Sequence, residues 1–317
     1  MEKIEIASGL ICIAWLLNLI FGIFFLPSDV FLMIFIMTSI GMPLVVVVVV
    51  PLIFERGKVH SDVRGIIISG IESSSMNVGE VIEDINTEYI EITDSQLNAI
   101  DLTAIQDLRN LMILKLCNNE LTSLDLSPLL GCMSLTELWL HGNNIREIDL
   151  SPLREGTSLR ILTLGGNSLD SIDLRPLSAC TNLEALMLEG NPAGELDLSP
   201  LSACKNMKIL TLANMQLKAI DLKPLMSCTN LEGIILAGNE LSKIDLSPFF
   251  QFENLGHIDL LDNNLESVDI TYLLRCPNLN SLLIDDIPVI QRVECQRPYS
   301  KGLKKLRKRI HHTYQGK

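Results

Sequence analysis

Eight carboxylates recur along this chain on a fixed beat. The tripeptide Ile/Leu/Val-Asp-Leu/Ile places Asp101, Asp125, Asp149, Asp173, Asp197, Asp221, Asp245 and Asp269 at intervals of 24 residues. A line of carboxylates suits cation binding or acid–base work. Stacked at about 5 Å, however, eight ionised groups repel one another unless each has its own donors. Most of these aspartates lie two residues before Ser-Pro or a similar pair, where a carboxylate accepts backbone N–H groups in an Asx-turn. They are therefore read as structural caps, with a cation ladder as the competing reading.

Other pairs suggest chemistry more weakly. His257 and Asp259 are two residues apart with no aligned serine or cysteine nucleophile, and Cys117 and His141 come closest to a nucleophile–base pair. No phosphate-binding glycine loop, zinc motif or kinase signature is present, so neither an enzyme nor a bound cofactor or metal is expected.

The elements that must hold these groups follow from the same period. Leu135 to Leu150 reads LTELWLHGNNIREIDL and Leu159 to Leu174 reads LRILTLGGNSLDSIDL; both fit LxxLxLxxNxLxxIDL, usually continued as SPL and then CxN. The alternation around the central leucines predicts a short strand. The asparagine column (Asn119, Asn143, Asn167, Asn191, Asn239, Asn263) turns the chain out of each strand, its amide able to satisfy backbone in two turns. Met215 breaks that column, and the last unit, Leu279 to Ile287, departs from the pattern. Serine at an N-cap followed by proline (Ser127-Pro128, Ser151-Pro152, Ser199-Pro200, Ser247-Pro248) predicts a short helix or 3₁₀ turn.

With these motifs, the stretch from Thr87 to about Ile287 resembles the leucine-rich-repeat family. That resemblance implies an α/β solenoid with a curved parallel sheet on its concave face and short helices or 3₁₀ turns on the convex side. Residues 87–288 are assigned to the solenoid, 59–86 to a linker and N-terminal cap, and 289–317 to a basic C-terminal cap or tail. Ile66-Ile67-Ile68 fits a strand covering the open first edge, with a flexible stalk as the alternative.

Residues 1–58 are different material. Ile6–Leu26 and Val30–Phe54 are apolar runs long enough to span a bilayer, predicting a two-helix transmembrane hairpin. Lys3 precedes the first run, Arg56, Lys58 and Arg64 follow the second, and the intervening Pro27-Ser28-Asp29 carries no base. This places both termini in the cytoplasm. Five of the eight cysteines (Cys132, Cys180, Cys204, Cys228, Cys276) share one repeat phase and read as reduced core thiols, consistent with a reducing compartment.

Charge divides the chain. Residues 61–288 hold 33 acids against 13 bases, whereas 289–317 hold nine bases and one acid. In the tail, Lys301, Lys304, Lys305, Arg307, Lys308 and Arg309 accompany Leu303, Leu306 and Ile310, spaced for one helix face with Ser300 as N-cap. The helix either caps the last repeat or touches anionic lipid. Nucleic acid is unlikely as a partner beside so acidic a domain.

The 24-residue ruler also identifies the outward strand columns. Their middle is apolar, with Ile161, Met187, Ile209 and Ile235 beside Thr163 and Thr211 and the small Gly165, Ala213, Gly233 and Ala237. Trp139 and His141 flank one side, His257 and Asp259 the other. Such a trough suits a protein or peptide partner, with Trp139 as anchor; the competing reading is ordinary strand propensity or packing on another part of the chain. Two functions follow: a membrane-anchored module recruiting a cytosolic protein or peptide, or a structural membrane protein whose solenoid self-associates.

Overall fold

A computed structural model describes residues 64–250, 252–292, 300–304 and the backbone of 310–312. Both apolar runs of residues 1–58, and Lys305, Arg307, Lys308 and Arg309, lie outside the described residues. Among the described residues, no helix is long and apolar enough to cross a membrane.

Ten strands form one parallel sheet in sequence order: β1 (Gly65–Ser69), β2 (Tyr89–Thr93), β3 (Ile113–Lys115), β4 (Glu137–Trp139), β5 (Ile161–Thr163), β6 (Ala185–Met187), β7 (Ile209–Thr211), β8 (Gly233–Ile235), β9 (His257–Asp259) and β10 (Ser281–Leu283). Each coil of 24 residues returns to the same level, as in Leu114↔Leu138 and Leu186↔Leu210. The inward column therefore stacks leucine on leucine. Leu114, Leu138, Leu162, Leu186 and Leu210 are fully buried in a continuous core. Ile66–Ile68 form the middle of β1 and pair with β2.

Four side-chain columns close each coil. The asparagine amide donates to the carbonyl three residues before it and to the equivalent carbonyl one coil earlier, while its oxygen accepts a backbone N–H. For Asn143 these partners are Leu140 (3.0 Å), Leu116 (2.9 Å) and Leu121 (3.2 Å). Met215 interrupts this ladder as expected. It is fully buried, and Asn239 accepts its N–H at 3.0 Å. The residue before each asparagine position adopts positive φ: Asp94, Asn118, Gly142, Gly166, Gly190, Asn214, Gly238 and Asp262. Only glycine, asparagine and aspartate occupy this left-handed turn, where a branched side chain would be strained.

All eight aspartates accept the backbone N–H two residues on, at 2.8–3.0 Å. The return segments are 3₁₀ helices such as Ser127–Gly131 and Ser199–Ala203. Serine is not the N-cap. It is the first helical residue, proline follows it, and the flanking Leu126 or Leu198 makes no side-chain cap. The carboxylate has taken the capping role because it reaches the serine N–H directly. The cysteine column ends these turns. Each of the five buried thiols donates to the carbonyl 27 residues earlier, for example Cys276 to Phe249 at 3.1 Å and Cys180 to Leu153 at 3.4 Å.

The C-terminal expectation needs correction. Lys301–Lys304 is a single helical turn, and Ile310–His312 is a strand paired with Val289–Gln291 rather than a continuation of that helix. The pairing satisfies backbone groups along the otherwise open edge of Val289–Gln291. Among the described residues the buried Ser300 hydroxyl has no hydrogen-bond partner, so it does not cap the turn. Leu303, by contrast, is fully buried in the solenoid core, and Gly302 donates its N–H to Leu279 at 2.9 Å. Lys301 and Lys304 are exposed.

Candidate functional site

Alternate residues of each short strand point away from the core and form the outer sheet face. The structure assembles a polar and aromatic network at the β2–β5 end of that face. Lys115 pairs with Glu91 at 3.3 Å and lies 5.2 Å from the centre of the Tyr89 ring and 5.7 Å from that of Trp139. Tyr89 donates its hydroxyl to Glu91. Trp139 Nε1 donates to Glu137 at 3.0 Å, and the Trp139 and His141 rings meet edge-on at 5.9 Å. His141 Nδ1 lies 3.0 Å from the Thr163 hydroxyl. Tyr89, Glu91, Lys115, Glu137, Trp139 and His141 are all half-buried. Burial, followed by the bond to Glu91, raises the Tyr89 pKa and keeps its hydroxyl a donor. Of this network, sequence reasoning chose only Trp139, His141 and Thr163. Tyr89, Glu91, Lys115 and Glu137 were visible in the adjacent columns but carry no motif; their meaning is in their juxtaposition.

The apolar middle differs from the expected open trough. Ile161, Met187, Ile209 and Ile235 are at most 5% exposed, and Thr163 and Thr211 are buried with them. Thr163, Met187, Thr211 and Ile235 occupy one level on four consecutive strands, each flanked along the sheet by its neighbours. Thr211 also donates its hydroxyl to Glu189, whose carboxyl pKa is raised by burial.

At the other end of the face, His257 is half-buried and Asp259 is buried, both on β9. Cys117 and His141 do not form an activated pair. Burial pushes the Cys117 thiol up to about 11, and burial pushes the His141 pKa down, so neither a thiolate nor a protonated partner is favoured at neutral pH.

Sequence comparison agrees with the architecture. A leucine rich repeat family model matches residues 85–145 and 133–192, and a BspA type leucine rich repeat region (6 copies) matches residues 199–292. The chain belongs to the leucine-rich-repeat family. Among solved structures, an internalin from Listeria monocytogenes is similar at TM-score 0.51 and 23% identity, covering 72% of this chain and 75% of that one. Internalin C2 from the same organism aligns at TM-score 0.48 and 32% identity over 57% of this chain and 74% of that one. The first of these is a likeness of fold. No curated protein matches the chain.

Proposed function

We propose that this chain is a membrane-anchored interaction module that recruits a cytosolic protein or peptide through the outer sheet face. The apolar runs Ile6–Leu26 and Val30–Phe54 serve as the anchor, both termini face the cytoplasm, and residues 87–288 form the displayed solenoid. The observation that carries the reading is the half-buried network around Trp139. Its aromatic rings and charges are already held in place, so a partner pays little to order them. Trp139 and His141 supply the leading contact. The columns from Ile161 to Ile235, with Thr163, Met187, Ile209 and Thr211, form a rigid continuation towards His257 and Asp259. Lys301, Lys304, Lys305, Arg307, Lys308 and Arg309 add contact with anionic headgroups, each base near such a surface contributing roughly 1 kcal/mol.

The test places a photo-crosslinking amino acid at Trp139 or at Glu155 on a 3₁₀ turn, in the full-length protein in its membrane. A discrete adduct from position 139 and none from 155 is the expected result. Equal crosslinking at both positions would remove the outer face from consideration. An adduct whose mass is twice that of the chain would favour self-association over recruitment. Protease treatment of inverted vesicles checks the topology; a shielded solenoid would reverse it.

A further inference from the structure

The first coil of the solenoid is open where the last is closed. At the C-terminal end Leu303 is fully buried against the core. At the other end Ile66 and Ile68 of β1, with Ile71, Met76, Val81 and Ile82 of the same coil, pack on that core yet stay half-buried. β1 is also the first strand of the sheet, and among the described residues it pairs with β2 alone. Arg64 accepts the Glu88 N–H at 2.9 Å and Gly70 donates its N–H to Asp94 at 3.2 Å, so the backbone groups of even-numbered residues face β2. Those of Gly65, Ile67 and Ser69 therefore face away from the sheet. All three residues are exposed, Ile67 at 71%.

This edge lacks the devices that usually protect one. Gly-Ile-Ile-Ile-Ser holds no proline and no charge, and its 5 residues outrun the 3-residue strands of the middle coils. Whatever covers it must satisfy one N–H and one C=O on each of Gly65, Ile67 and Ser69, and lay an apolar column against Ile66 and Ile68. A second copy of β1 supplies both. A lone extended peptide satisfies the edge but presents a fresh one in its turn, and it brings no coil to cover the core. The preceding sequence adds a further reason. Nine residues, 55–63, separate the apolar run ending at Phe54 from Arg64, a reach of at most about 30 Å. Copies anchored by that run hold their β1 edges within that distance of one bilayer, where they meet at high effective concentration.

We propose that two copies of this chain pair through β1, antiparallel, about a two-fold axis that passes Ile67 perpendicular to the sheet. Ile67 then faces Ile67 of the partner subunit, and Gly65 faces the partner subunit's Ser69, which makes about six backbone hydrogen bonds. The axis keeps both core faces on one side. Ile66 of each copy therefore lies opposite the partner subunit's Ile68, and the two cores become continuous. Arg64 falls opposite the partner subunit's Gly70, so no like charges meet across residues 64–70. The contact is isologous and closed: it consumes the exposed edge of both copies and leaves none there to propagate. The concentration argument rests on the anchor reading; the pairing geometry does not. β4 is three inter-strand steps from β1, about 14 Å, so Trp139 lies outside the seam.

The test uses the full chain in detergent micelles, its mass read by light scattering with the detergent contribution subtracted. A dimer is expected. Ile67→Lys sets two ammonium groups opposite each other at an exposed position. It should raise the dissociation constant at least about tenfold while keeping the circular dichroism of the wild type. Met226→Lys, at a site 60% exposed on the 3₁₀ turn Lys223–Ser227, should stay dimeric. Mild oxidation reads the register. Ile67→Cys stands about 5.5 Å from its copy across the axis, within disulfide range, and should give a covalent dimer above the background of the 8 native cysteines. Ser69→Cys faces Gly65 instead, roughly 13 Å from its copy, and should not. A monomer at every concentration, or a dimer on which the two lysine variants act equally, overturns the proposal. Equal covalent yield from Ile67→Cys and Ser69→Cys overturns the antiparallel register. Failure here leaves the recruitment reading standing, because that reading depends on the Trp139 crosslinks and the vesicle topology.

Discussion

A single carboxylate in this chain does one of two opposite things, depending on the donors around it. Seven of the eight capping aspartates are exposed, Asp269 is half-buried, and all are well supplied with donors. Asp173 accepts from the Arg175 side chain at 2.7–3.0 Å and from its backbone N–H at 2.9 Å, and these bonds hold its pKa down to about 2. Asp149 and Asp197 are lowered by the side chains and then the backbone N–H groups of Ser151 and Ser199. Because the folded values lie below the ordinary 3.8, these groups stabilise the fold fully above 3.8. That contribution is lost as the pH falls through the folded values. Thermal melts of the wild type and Asp173→Asn should therefore differ most above pH 3.8 and converge towards pH 2. A difference that persists unchanged at the acid end would show that the charge is not what matters. Asp259 has the reverse sign. Its folded pKa of about 6 lies above the ordinary value, so its ionisation opposes folding increasingly as the pH rises from 3.8 through 6. Asp259→Asn should raise the melting temperature at neutral pH and lose that advantage below 3.8. Destabilisation at neutral pH would instead mark the carboxylate as structural.

At the level of the coil, the columns that make backbone turns were legible because each is a chemical necessity repeated in phase. Replacing Asn143 with alanine leaves the Leu121 N–H without an acceptor and removes one of two amide donors from Leu116 and Leu140. A buried orphan of this kind costs about 1–3 kcal/mol, which urea unfolding would resolve. Gly190 tests a different necessity. At φ +71°, it should tolerate asparagine, which occupies the same position at Asn118 and Asn214. Valine should lose about 1–3 kcal/mol through backbone strain; equal stability of the two variants would mean that the turn relaxes. The repeat also places Trp139, Met187 and Asp259 on one face. It does not reveal that Ser127 yields capping to Asp125, since both residues are good cap formers and only geometry chooses. Nor does it show that Met187 is buried or that Lys115 sits between two aromatic rings. Those facts depend on neighbours 24 residues away, whose side chains can be placed in adjacent columns from sequence but not oriented. At the C-terminus Ile310 has the spacing for a helix face, and a competing strand edge at Val289–Gln291 takes it instead.

For the whole solenoid, stability is a chain of couplings between neighbouring coils, and the cysteine column supplies a reporter in five of them. Burial pushes Cys132, Cys180 and Cys276 up to about 11 and Cys204 up to about 12, so these thiols resist alkylation at neutral pH until their coil opens. Cys204 has coils on both sides, and the thiols of Cys180 and Cys228 in those coils are fully buried as well. Cys276 lies one coil from the end of the sheet, where Leu303 closes the core. If coils open from the ends inward, Cys276 should be alkylated well before Cys204 in native buffer. Leu303→Ala should then accelerate Cys276 further while leaving Cys180 unchanged, because the lost contact is felt only by the nearest coils. Mass spectrometry of pulse-alkylated protein reads all five sites at once. Identical rates at all five would mean that the solenoid opens as one cooperative unit. In that case the far end of the sheet, where His257 and Asp259 lie, would be as rigid as its middle.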